Sequence, residues 1–139
     1  MSTQRVVRVL VVDDQRPFRF AAAAVLARMP GFELVGKADT GEDAVVAAAS
    51  LRPDLVLMDV RLPGMSGIEA AGLVATEVPG VVVILCSTYA RDDLPFSLDA
   101  PGVAGYLHKE ELRAPVLREL WERCRSSTPA ASGPTDAAR

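Results

Sequence analysis

One histidine and two cysteines leave this chain little means for soft-metal chemistry. His108, Cys86 and Cys124 are too few to make up a four-ligand zinc set. The two cysteines lie far apart in apolar surroundings, so buried free thiols in a reducing compartment are expected rather than a disulfide. Basic charge is not in excess either. Fifteen Lys and Arg against 18 Asp and Glu leave a net charge of −3, and the pI is near 5.1. That argues against a standing nucleic-acid surface and leaves DNA contact to a partner or a further domain. Long apolar runs are missing as well. Residues 20–27 are too few to span a membrane, and 78–90 is interrupted by Pro79-Gly80. Arg5 and Arg8 lead into Val9 to Val12 and then acid, so no secretory signal and a cytoplasmic location are expected. No internal repeat is visible.

Against these absences stands a chain of 139 residues that is 50% hydrophobic, one domain's length with enough apolar mass for a core. Its organising stretch is Leu55-Val56-Leu57-Met58-Asp59, followed by a turn containing Pro63, Gly64 and Gly67. An apolar run closed by turn residues reads as a buried strand. Asp59 then sits at the strand's carboxyl end, where open α/β sheets bind ligands. Residues 6–12 read as a central parallel strand ending on Asp13-Asp14. Residues 32–38 carry charge and suit an edge strand. Residues 81–86 are the most β-rich run and end on Ser87-Thr88, and 103–107 form a short strand ending at His108-Lys109.

Helices are expected between these strands. The first, 18–29, follows Pro17 and turns Phe18, Ala22, Val25 and Met29 inward. The second, 42–51, is capped by Asp39 or Thr40. The third, 68–78, has Ile68, Ala71, Leu73 and Val74 as its apolar face. The last runs from about 114 to 124 with Val116, Leu117, Leu120 and Cys124 inward. A fourth helix is confined to 94–100, because Pro95 fits only a first turn and Pro101-Gly102 ends it. So short a piece should be mobile. Residues 126–139 have the composition of a disordered tail or the start of a linker, after a domain spanning 1–125. Five strands alternating with five helices imply an α/β, doubly wound parallel sheet joined by right-handed crossovers.

In such a sheet the strand ends share one edge. Asp13, Asp14, Asp59, Ser87, Thr88 and Lys109 would converge there. Three carboxylates so close repel unless a cation joins them, and hard oxygen donors with open positions suit Mg²⁺, with Mn²⁺ as an alternative. A carboxylate, Mg²⁺ and a lysine together match phosphoryl transfer, in which positioning and charge neutralisation do most of the catalysis.

The motifs Val9-Leu10-Val11-Val12-Asp13-Asp14, Leu57-Met58-Asp59-Val60-Arg61-Leu62-Pro63-Gly64, Leu85-Cys86-Ser87-Thr88 and Gly105-Tyr106-Leu107-His108-Lys109 resemble the receiver domain of two-component response regulators. The likeness covers about residues 5–125. It implies a flavodoxin-like (βα)5 fold with strand order 2-1-3-4-5. It implies Asp59 as phospho-acceptor from a histidine kinase. Asp14 would be a direct Mg²⁺ ligand, Asp13 a ligand mainly through water, and the Arg61 backbone carbonyl a further ligand. Ser87 would be the switch hydroxyl, Lys109 the phosphoryl-binding ammonium and Tyr106 the aromatic switch. Such a domain is not an enzyme on external substrates but assists its own phosphorylation and dephosphorylation. The wording 59–64 and 105–107 looks like receivers that precede LuxR-type helix-turn-helix output domains, which implies transcriptional regulation by the intact protein. A homodimer through the fourth helix, fifth strand and last helix is also implied.

The sequence departs from that pattern in three places. Glu110 follows Lys109 where many receivers carry proline, Ser66 replaces a common aspartate, and Pro95 interrupts the fourth helix. None removes a reacting group. Two other functions fit part of the pattern. A phosphorylation-independent interaction module would need no acidic trio. An aspartyl-phosphate phosphohydrolase would need a second aspartate at position 61, where arginine stands. Tyr106 and Trp121 also admit plain packing roles, His108 a satisfied edge position, and the Arg61 side chain a place at the pocket mouth.

Overall fold

The computed structural model describes residues 5–90, 94 and 97–127. Five strands form one parallel sheet in the order β2-β1-β3-β4-β5. They are β1 (Val7–Val12), β2 (Phe32–Ala38), β3 (Leu55–Asp59), β4 (Val82–Ser87) and β5 (Gly105–His108). Four helices are present among the described residues: α1 (Arg16–Ala27), α2 (Gly41–Leu51), α3 (Gly67–Glu77) and α4 (Ala114–Ser127). The charged strand β2 is at an edge, as its composition predicts. Its register with β1 slips between Val9 and Leu10, where Leu34 and then Gly36 are the partners.

The strand pleat divides the core in two. Leu10, Val12, Val56, Met58, Val83 and Leu85 face α2 and α3 with Ala44, Ala48, Ala70, Ala71 and Val74. Val9, Val11, Leu55, Leu57, Ile84 and Leu107 face α1 and α4 with Ala22, Leu26, Leu117, Leu120 and Trp121. Alanine on the helices lets them lie close on a sheet whose strands carry the large side chains. Every residue of β3 and β4 is buried, which explains their unbroken apolar sequence.

Several boundaries and faces differ from expectation. Leu73 is exposed while Ala70 is buried, because α3 needs only a narrow stripe of small residues against the sheet. On α4 Trp121 is buried and meets the Phe32 ring edge-on at 6.3 Å, whereas Val116 is only half-buried. α4 continues through Ser126 and Ser127, beyond the expected end at 124, and residues 128–139 of the expected tail lie outside the described residues. Among the described residues no helix lies between β4 and β5. Leu94 and residues 97–100 are non-helical, and Pro95 and Phe96 lie outside the described residues. A local bond explains part of this: the Asp99 N–H donates to the Ser97 hydroxyl at 3.0 Å, a serine turn that competes with helix.

Candidate functional site

The acid edge is built by strand ends whose loops double back at once. Asp59 closes β3, and the next amide, Val60 N–H, still donates to Cys86 O of β4 at 3.1 Å. The chain then turns through Gly64 at φ +75°, a conformation that favours glycine. It returns so closely that Gly67 N–H reaches Val60 O at 2.8 Å. A Cβ on Gly67 would lie 2.0 Å from the Asp59 carbonyl oxygen. Ser66, the departure from the common aspartate, caps α3: its hydroxyl accepts from Glu69 N–H, and the Glu69 carboxylate accepts from Ser66 N–H, a full capping box. Asp13 follows β1. Its Oδ1 accepts from Gln15 N–H at 2.8 Å, and its carbonyl accepts from the Arg19 guanidinium at 2.6 Å. Lys109 opens a single 3-10 turn, Lys109–Glu111, after β5. The turn is fixed by His108, whose Nδ1 accepts from Glu110 N–H at 3.1 Å, so His108 is the satisfied edge residue expected.

Asp13, Asp14 and Asp59 each bring a carboxylate oxygen within 4.8 Å of the others. Asp13 is fully buried, Asp59 nearly so, and Asp14 is exposed. The Lys109 ammonium lies 2.6 Å from Asp13 Oδ2 and 3.5 Å from Asp59 Oδ1. Asp13 Oδ2 has no other partner among the described residues. Burial, and then the charge of Asp13, lift the Asp59 carboxyl from 3.8 to about 6, against the opposing pull of Lys109 and the Arg61 backbone N–H. Burial works to lower the Lys109 ammonium, but its hydrogen bond to Asp13 and the charges of Asp59 and Asp13 outweigh that and raise it. Burial first of all pushes the neighbouring Cys86 thiol up, so Cys86 is an inert packing residue. One lysine against three carboxylates leaves the site short of positive charge. A buried oxygen with a single partner among hard donors suits a divalent cation such as Mg²⁺ or Mn²⁺, which Asp13, Asp14 and Asp59 could hold.

The acids open into a cleft of about 340 Å³ lined by Asp14, Gln15, Asp59, Arg61, Ser87, Thr88, Tyr89 and Lys109. Ser87 is buried at the end of β4, and its Oγ accepts from Tyr89 N–H at 3.1 Å. The Tyr106 ring is buried, and its hydroxyl donates to the Tyr89 carbonyl and reaches the Ser87 carbonyl at 3.4 Å. Tyr106 therefore stands inward. Arg61 sits at the mouth: its guanidinium donates to the Tyr89 hydroxyl at 3.1 Å and lies 5.7 Å from that ring's centroid. The structure thus brings all of Asp13, Asp14, Asp59, Arg61, Ser87, Tyr106 and Lys109 together. Two participants escape the sequence reading, Tyr89 and Phe18. Tyr89's signal is its place two residues after Ser87 on the same strand-end loop. Phe18 reads as ordinary core, but its ring lies 4.7 Å from the Lys109 ammonium.

Residues 9–120 match the family model described as the response regulator receiver domain. Over 103 residues the chain is 40% identical to the response regulator GacA of Pseudomonas aeruginosa, covering 74% of this chain and 48% of that protein. It is 34% identical over 110 residues to the transcriptional regulatory protein LiaR of Bacillus subtilis, covering 79% and 52%. The chain thus spans about half the length of the curated relatives it matches. Among solved structures it resembles the response regulator domain of Thermotoga maritima CheB, with 30% identity, TM-score 0.74 and coverage of 91% and 98%. It also resembles a two-component response regulator of the LuxR family from Aurantimonas, with 26% identity, TM-score 0.76 and coverage of 91% and 90%. No helix among the described residues is long and apolar enough to cross a membrane. With the sheet order, the acid triad, the lysine and these likenesses in agreement, the chain belongs to the receiver domains of two-component response regulators.

Proposed function

We propose that Asp59 accepts a phosphoryl group from the phosphohistidine of a histidine kinase, or from a small donor such as acetyl phosphate. The observation that carries this reading is the convergence of Asp59 with Asp13, Asp14 and Lys109 at an open cleft. A carboxylate oxygen of Asp59 attacks phosphorus, the bond from phosphorus to the donor imidazole breaks, and an aspartyl phosphate results. Asp13, Asp14 and Asp59 would hold a divalent ion, whose charge would neutralise the phosphoryl oxygens. Lys109, already paired to Asp59, offers its ammonium to the same charge, and the Ser87 hydroxyl is free to turn its proton toward a phosphoryl oxygen. On this reading the chain is no enzyme on external substrates; it assists only its own phosphorylation and hydrolysis. In an intact cytoplasmic regulator, the change would alter a partner or output contact, including pairing of two copies through β5, α4 and the segment before β5. DNA would be reached only through an output domain outside this chain. The exposed apolar strip of Pro17, Phe20, Ala21 and Ala24 on α1 gives a kinase surface to cover beside the cleft. Intact-mass measurement after acetyl phosphate and Mg²⁺ tests the proposal: one phosphoryl group on the wild type and none on Asp59→Asn is expected. Modification that persists in Asp59→Asn overturns it.

A further inference from the structure

Lys109 carries its charge on a long, flexible stem with much rotamer freedom. Its backbone is held by the His108–Glu110 bond, but nothing in that turn fixes its ammonium. Among the described residues three groups meet the ammonium directly: Asp13 Oδ2 at 2.6 Å, Asp59 Oδ1 at 3.5 Å and the Phe18 ring, with its centroid at 4.7 Å. The two carboxylates compete unequally, and the closer one is not the acceptor. Phe18 is the only uncharged member. It stands in the first turn of α1, half-buried against the apolar layer shared by Leu112, Ala114 and Leu117. A ring face attracts an ammonium within about 6 Å and, unlike a carboxylate, adds no negative charge to a site that already has three.

We propose that Phe18 is a positioning residue for Lys109: its ring face holds the ammonium within reach of Asp59 instead of leaving it wholly to Asp13. This rests on Asp59 being the phospho-acceptor. Phe18 touches no reacting atom; it acts through Lys109. The ring's π face is what matters, so an aliphatic side chain of similar bulk fails and another aromatic succeeds.

The test compares Phe18→Leu, which keeps apolar packing, with Phe18→Tyr, which keeps the ring. Phosphorylation by acetyl phosphate with Mg²⁺ is followed by intact mass. Phe18→Leu should slow it roughly threefold to tenfold, the rate equivalent of a cation–π contact, and Phe18→Tyr should stay within about twofold of wild type. In parallel, proton NMR reads the Lys109 side chain. The chain has two lysines, and the exposed Lys37 serves as internal reference. Ring-current displacement of the Lys109 ε-protons should be present in wild type and Phe18→Tyr and lost in Phe18→Leu. A wild-type rate in Phe18→Leu overturns the positioning role, as does an equal slowing in Phe18→Tyr. If the wild type takes no phosphoryl group, the proposed function falls. The Lys109 signals then decide the contact alone: loss in Leu with retention in Tyr shows that the Phe18 ring holds the ammonium, and no difference overturns that too.

Discussion

At the scale of single residues, the buried Asp59 carboxyl costs the metal-free fold stability. That carboxyl is held at about 6 in the folded chain, first by burial and then by Asp13, against 3.8 when unperturbed. Between those values the folded state keeps a proton that the unfolded state has released. Metal-free stability therefore falls as pH rises from about 4 to about 6, by an amount of order 3 kcal/mol. Asp59→Asn removes this cost. In EDTA at pH 7.5 it should be more stable than wild type by roughly 1–3 kcal/mol in urea unfolding, and the gain should vanish near pH 4. An equal gain at both pH values would show that the charge is not the cause. In the proposed metal site Asp14 and Asp13 would have different shares. Asp14 lines the cleft, whereas Asp13 is fully buried behind it and already bound to Lys109. Asp14→Ala should weaken Mg²⁺ binding more than Asp13→Ala in calorimetric titration; equal affinities for wild type and Asp14→Ala would contradict that. Ser87→Ala should still accept a phosphoryl group but lose the response of the β4 loop, since the hydroxyl organises Tyr89, and Tyr89 in turn anchors Tyr106. Partner binding before and after phosphorylation reads this directly.

At the scale of elements, the site depends on how tightly α3 is pressed to the end of β3. Gly67 is the contact point, with room for no side chain beside the Asp59 backbone. Gly67→Ala must push that backbone aside. It should cost roughly 2–3 kcal/mol, since overpacking at fixed backbone cannot relax, and it should lower the phosphorylation rate together with stability. Ser66→Ala removes only the cap and should cost about 1 kcal/mol with the rate nearly unchanged. Chemical denaturation and the same mass assay separate the two: a rate loss in Ser66→Ala comparable to that in Gly67→Ala would mean that α3 as a whole, not the close approach, places Asp59.

At the scale of the whole molecule, the parallel sheet puts every functional side chain at one rim while the two apolar layers fill both faces. A ligand at that rim ties β1, β3 and the loops together, so metal binding should stabilise the entire fold. Saturating Mg²⁺ should raise the melting temperature of wild type, by the linkage of binding to folding, and leave Asp14→Ala almost unmoved. A matching rise in Asp14→Ala would place the ion elsewhere.

Sequence by itself determined the strands, their parallel pairing and the acid edge, for a simple physical reason. A strand buried on both faces must be apolar throughout, so Leu55 to Met58 and Val82 to Cys86 announce themselves, and the first polar residue after each is at the rim. Asp13, Asp59 and Ser87 follow from that rule and from chain order alone, and Lys109 lies one residue further on, after His108. Tertiary structure decided what depends on distances between distant segments. That Lys109 is nearer Asp13 than Asp59, that Phe18 faces its ammonium, and that Tyr89 joins Arg61, Ser87 and Tyr106 are matters of side-chain direction across separate elements. It also decided which small residues of α3 turn inward, since alanine and glycine leave almost no periodic signal for the face they occupy. Local chemistry writes an element into its own residues; a contact between elements is set only when the packed core fixes both ends.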